Sequence, residues 1–191
     1  MAITRLNTNA FGTSVNLASN VTGTLPIANG GTALTSGFVN GAAAGGSQVY
    51  MTGDTAISGS GYLTSNLSVY NSTGAGNGVA SVSSGIISLD KTGFYHIIYQ
   101  FTGNSTSGTQ FVNPYIATTS NSGGSTSNRA YGYAHGDNDD DDTFTCTINL
   151  IHDLTDTSEA FVMKYQGASN ITLYGTGQSV TSMTFIRLGD T

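Results

Sequence analysis

The sequence predicts an all-β protein, a two-sheet β-sandwich or jelly roll preceded by an extended N-terminal arm. Three observations carry that expectation. Short apolar stretches alternate with period two, as in "TFTCTINLI" at 143–151. Gly, Ser and Asn turn signals separate such stretches. No stretch holds a 3.6-residue apolar period. Charged residues are only 8% of the chain, far below the usual quarter, while 10 Tyr and 8 Phe supply a core. That combination is the reverse of a disordered composition.

The arm comes first, residues 1–46. It contains no Lys, Asp or Glu and one Arg, Arg5. Its large apolar residues are scattered singly, so it cannot bury enough surface to offset its chain entropy alone. It ends in the small-residue linker "NGAAAGG". Fully extended, it spans at most about 150 Å. Ile3, Leu6 and Phe11 are its first large apolar groups and the expected anchors to a partner.

The knob follows, residues 47–191, with about eight to ten strands expected. "YLTSNLSVYNS" places Leu63, Leu67 and Val69 on one face. "TFTCTINLI" points Phe144, Cys146, Ile148 and Leu150 inward. "EAFVMKYQG" points Phe161, Met163 and Tyr165 inward, with Val162, Lys164 and Gln166 outward. "NITLYG" and "SMTFIRLGD" add two strands, and "DKTGFY" and "GASN" read as turns. Two strands break the pattern. "GFYHIIYQF" (93–101) is apolar on both faces, with Tyr95, Ile97, Tyr99 and Phe101 on one and Phe94, His96 and Ile98 on the other. "MTFIRL" splits Phe185 from Ile186 and Leu188. A sandwich strand normally wets one face. The second greasy face therefore calls for a cover: copies of the same chain under closed symmetry are the favoured one, and a thick monomer core that encloses both faces is the alternative. Phe94, His96, Ile98 and Phe185 are the expected contacts of a homotrimer.

Two resemblances accompany these readings. "GIISLDKTGFYHIIYQFTG" (85–103) is similar to the hallmark strand of the complement globular-head and tumour-necrosis-factor superfamily: a turn, then Gly-aromatic-Tyr, then alternating aromatics. Gly93, Phe94, Tyr95, Tyr99 and Phe101 carry the match. Phe185 and Leu188 occupy the apolar positions of a similar closing strand. The resemblance implies a TNF-like ten-strand jelly roll that forms tight trimers. "VTGTLPIANGGTALTS" (21–36) resembles a phrase common in bacteriophage tail-fibre and virion-appendage proteins, matched from Gly23 to Thr32. In it Pro26 fixes an extended φ, and Asn29, Gly30 and Gly31 permit a sharp turn. Leu25 and Ile27 are placed to meet their counterparts on a threefold axis. This resemblance implies a structural virion protein, assembled in a host cytoplasm: a tail or head fibre, or a capsid decoration. Its arm would contact other virion proteins.

Other chemistry is sparse. "HGDNDDDDTF" (135–144) holds five of the eleven acidic residues. A solvated acidic loop is the simpler reading. The alternative is a Ca²⁺ site at Asp137, Asp139 and Asp141, although the loop Gly and closing Glu of a calcium hand are missing. "RAYGYAHG" (129–136) sets Tyr131, Tyr133 and His135 against Ala130, Gly132 and Ala134. Such an aromatic row more commonly packs in a core. Its alternative is an exposed site for a host cell-surface glycan at Tyr131 and Tyr133. His96, His135 and His152 lack a metal spacing, and Cys146 reads as a buried small hydrophobe. No nucleophile elbow, phosphate loop or marked carboxylate pair appears, so no enzyme activity and no other cofactor are expected. A net charge of −6 disfavours nucleic acid and anionic membranes. No segment approaches the roughly 18 apolar residues of a membrane span.

Overall fold

Period-two alternation becomes strand after strand in the protein, a computed structural model that describes residues 46–71, 80–105, 110–136, 143–176 and 180–189. The expected anchors Ile3, Leu6 and Phe11, the stalk phrase with Leu25, Pro26, Ile27, Asn29, Gly30 and Gly31, and the acidic trio Asp137, Asp139 and Asp141 lie outside these residues. The described residues form twelve strands and no helix. In chain order they are β1 (Gly46–Met51), β2 (Thr55–Tyr62), β3 (Leu67–Asn71), β4 (Ala80–Ser83), β5 (Ile86–Leu89) and β6 (Gly93–Ser105). Then come β7 (Gln110–Ser120), β8 (Ser127–Tyr131), β9 (Ala134–Gly136), β10 (Thr143–Leu154), β11 (Glu159–Leu173) and β12 (Ser182–Gly189).

The pairings are antiparallel and fold into two layers. The front sheet runs β3-β1-β12-β6-β10. The back sheet runs β4-β5-β11-β7, with β8 and β9 beyond β7 and β2 beside the second half of β11. The layers join at one corner, where Gly103–Ser105 of β6 pair with Ile171–Leu173 of β11. From β5 onward the chain alternates between layers, interrupted only by the β7–β8–β9 edge. That connectivity is a jelly roll, the fold class the sequence predicts.

The core lies between the layers. β6 contributes Tyr95, Ile97, Tyr99 and Phe101, none more than 1% exposed. β11 contributes Phe161 and Met163, β7 Ile116, β5 Ile87 and Leu89, and β1 Val49 and Met51. Phe161 meets Phe185 of β12 across the layers with ring centroids 5.4 Å apart. Phe185 is thus a core residue and not a trimer contact. The outward face of β12 carries Thr184 and Ile186, which pair with Ile98 and His96.

Two further positions depart from the alternation read in the sequence. Val162 points away from the core yet is fully buried. The β7–β8 connection lies over this part of the back sheet. Asn121 accepts from Ser88 Oγ at 3.0 Å and donates to the Thr157 carbonyl at 2.7 Å. Lys164 Nζ donates to Thr126 Oγ1 and Asn128 Oδ1, both at 2.9 Å. A cover made of loop has no periodicity to read. "GASN" is no turn either. β11 continues through it by register shifts against β2, with Gly167 and Asn170 at φ 79° and 50°. These bulges bend one long strand instead of ending it.

The Gly-aromatic-Tyr phrase has a local cause. Gly93 adopts φ 140°, and a Cβ there would strike the Gly189 carbonyl oxygen and come within 2.9 Å of Arg187 Nε. The Arg187 guanidinium is buried and donates twice to the Thr92 carbonyl, from Nε at 3.0 Å and from the second terminal nitrogen at 2.9 Å. Tyr95 Oη donates to the Lys91 carbonyl at 2.8 Å. Glycine, tyrosine and a distant arginine together fix the entry of the central strand.

Candidate functional site

Large hydrophobic side chains left exposed among the described residues fall into two groups, one per sheet. On the outward front face are Tyr70, Phe94, Ile151 and Leu188, exposed by 66%, 41%, 58% and 48%. On the outward back face are Phe111, Tyr131 and Tyr133, exposed by 62%, 59% and 70%. Each group is continuous with half-buried neighbours, so each forms a patch and not a scatter of single residues.

The front patch is set by the ladder. Ile151 pairs with His96, which pairs on its other side with Ile186. Ile98 lies between Asn149 and Thr184. Leu188 sits at the β12 bulge beside Phe94. The structure therefore brings Phe94, His96 and Ile98 together and adds Ile151, Ile186 and Leu188. His96 Nε2 lies 3.2 Å from Asn149 Oδ1. Asp153, paired with Phe94, is the one charged side chain on this face among the described strands. Ile151 was legible in the sequence, as the residue after the inward Leu150 in a strand that otherwise shows Thr, Asn and Asp153 outward.

The back patch inverts the commoner expectation for "RAYGYAHG". Its small residues face inward. A Cβ at Gly132 would lie 2.5 Å from Cys146 Sγ and 3.2 Å from Ile148 Cγ1, and one at Gly136 would lie 2.9 Å from Phe144. The front sheet thus presses so closely on this edge that only small side chains fit beneath it. Tyr131, Tyr133 and His135 are turned outward as a result. Tyr131 lies tilted beside Tyr115 at 5.7 Å and meets Tyr133 edge-on at 5.6 Å. His135 lies against Phe111 at 4.7 Å. Tyr115 Oη donates to Gln166 Oε1 at 3.1 Å, and Lys164 Nζ stands 5.8 Å from the Tyr115 ring centre. Phe111 and Tyr115 escaped sequence reasoning, although "QFVNPY" places both on one face.

Among the described residues no group of three or more His, Cys, Asp or Glu side chains is placed to hold a metal ion. His152 and Glu159 meet at 3.0 Å on the inward side, and Arg129 reaches Glu159 at 2.8 Å and Thr118 at 2.9 Å. Burial alone would raise the Glu159 carboxyl, but hydrogen bonds from His152 and Arg129 outweigh it and hold the group below its ordinary value. Cys146 faces inward but is only half-buried, and burial pushes its thiol up. Asp54 is held low by the amides of Gly175 and Thr176 and the Thr176 hydroxyl, which ties the β1–β2 turn to the segment after β11. No helix among the described residues is long and apolar enough to cross a membrane.

No protein-family model matches the chain, and no curated protein matches it in sequence. Solved structures do match its fold. Murine APRIL superposes with a TM-score of 0.54 at 13% identity, over 76% of this chain and 100% of APRIL. A second structure of murine APRIL, at pH 8.0, gives 0.53 at 12% identity with the same coverage. Eiger TNF from S. frugiperda gives 0.52 at 8% identity, over 78% of this chain and 96% of that one. The knob is a TNF-like jelly roll.

Proposed function

We propose that the chain is a non-enzymatic structural protein of a bacteriophage particle, exposed as a homotrimeric knob. Three copies pack through the front faces of their jelly rolls. The arm, residues 1–46, forms a stalk and binds other virion proteins through Ile3, Leu6 and Phe11. The protein assembles in the host cytoplasm and resides on the virion as a fibre or a capsid decoration. The phage assignment rests on the resemblance of residues 23–32. The trimer rests on one observation above all: the front face presents Phe94, Ile151 and Leu188 to solvent around half-buried His96, Ile98 and Ile186. Fully burying each large apolar side chain is worth roughly 1.5–3 kcal/mol, less for the half-buried ones. A near-absence of charge suits the centre of an interface. No cofactor is needed. A Ca²⁺ ion at Asp137, Asp139 and Asp141 is an optional addition, tested by calorimetry with millimolar calcium.

Sedimentation equilibrium tests the assembly. The reading expects three chain masses at micromolar concentration, and a shift toward one chain mass in Ile151→Asp. A monomeric wild type would refute it. Gold-labelled antibody against the knob tests the location: label on purified particles supports the virion assignment, and label only in the unassembled fraction refutes it. A second reading, favoured by the outward Tyr131 and Tyr133, makes the knob a tip that recognises a host-surface glycan.

A further inference from the structure

The back patch extends well beyond those two tyrosines. β7 turns Phe111, Asn113 and Tyr115 outward at alternate positions. Tyr131 stands opposite Tyr115, and His135 opposite Phe111. On the other side of β7, Lys164 faces Tyr115 and Gln166 faces Asn113. Two aromatic clusters result, Tyr115 with Tyr131 and Tyr133, and Phe111 with His135. Four residues of strand separate them, about 13 Å. The side-chain amides of Asn113 and Gln166 lie along the stretch between.

We propose that this face binds a linear, neutral oligosaccharide. Its sugar rings lay their C–H faces on the two aromatic clusters, and Asn113 and Gln166 bond the hydroxyls at its edges. The inference deepens the glycan-tip reading and does not depend on the trimer. The chemistry of the surface selects the occupant. Its exposed large hydrophobics are all aromatic, whereas the front face also exposes Ile151 and Leu188. Flat rings interleaved with amides match a pyranose chain, which is apolar on its faces and polar around its rim. The rings are carried on paired β7, β8 and β9 and on the short Gly132–Tyr133 link, propped from below by Ala130, Gly132 and Ala134, so little freedom is lost on binding. The stretch of about 13 Å accommodates on the order of two to three sugar units. Neutrality follows from charge. Lys164 directs its ammonium to Thr126 and Asn128. The chain carries −6 overall and repels polyanions.

Native electrophoresis of the intact chain through gels containing dextran, laminarin, hydroxyethylcellulose or galactomannan, with alginate as the polyanion, tests the proposal. Calorimetry with matching di- to hexasaccharides follows. We expect retardation by at least one neutral polymer, with affinity rising beyond the disaccharide. Tyr131→Ala or Tyr133→Ala weakens binding by at least about tenfold, with the thermal melt unchanged. Phe111→Ala abolishes the gain from disaccharide to hexasaccharide. Retardation by no polymer, by alginate alone, or undiminished in the double variant Tyr131→Ala/Tyr133→Ala overturns the proposal. Binding that persists in a chain found to be monomeric supports this site and removes only the assembly reading.

Discussion

Gly132→Ala isolates the close approach of the two layers. Gly132 is not among the positive-φ glycines, so the backbone itself accepts an alanine. The added Cβ, however, would lie 2.5 Å from Cys146 Sγ. That is at least 1 Å inside the ordinary 3.5–4.0 Å contact of apolar atoms. Ile148 Cγ1 at 3.2 Å limits escape along the strand. Overpacking of this kind costs typically about 1–3 kcal/mol. Removing the sulfur should recover most of it: Cys146→Ala on its own loses half-buried packing, but in the Gly132→Ala background it opens the space the new methyl needs. Urea unfolding of the two single variants and the double variant closes the cycle. We expect a coupling of at least about 1 kcal/mol in favour of the double variant. Additive effects, or a neutral Gly132→Ala, would refute the claim that steric pressure from β10 turns Tyr131 and Tyr133 outward.

Three further outcomes are expected. Gly93→Ala combines a strained φ with a backbone clash and should destabilise by more than about 2 kcal/mol, read as a lowered urea midpoint with unchanged slope. Tyr99 has a fully buried hydroxyl without a hydrogen-bond partner, and burial drives its ionisation well above the ordinary value. Tyr99→Phe should therefore be neutral or stabilising by up to about 1 kcal/mol in the same assay, whereas a clear loss would reveal a hidden bond. Glu159 has a folded-state value below its ordinary 4.5. Its contribution is present above that ordinary value and is lost as pH falls through the lowered one. Melting between about pH 5 and 3 should lose a component of under about 1 kcal/mol, small because the pair is partly exposed, and Glu159→Gln should lack that component.

The sequence by itself determined the all-β class, the inward sets of β6, β10 and β11, and the doubly apolar character of β6, because strand alternation is a local property with period two. It also set Tyr131, Tyr133 and His135 on one side and Ala130, Gly132 and Ala134 on the other. Which side faced the core was decided only by tertiary structure. That choice depends on Cys146, Ile148 and Phe144 of a strand in the other layer, and no local pattern reports how closely two layers approach. For the same reason Phe185, expected at an outer surface, lies against Phe161, and Val162, expected in water, lies beneath a connection without periodicity. The two exposed faces follow from these pairings: adjacency across β7, β8, β9 and β11 gathers side chains that are up to 55 residues apart in sequence, from Phe111 to Gln166, into one surface.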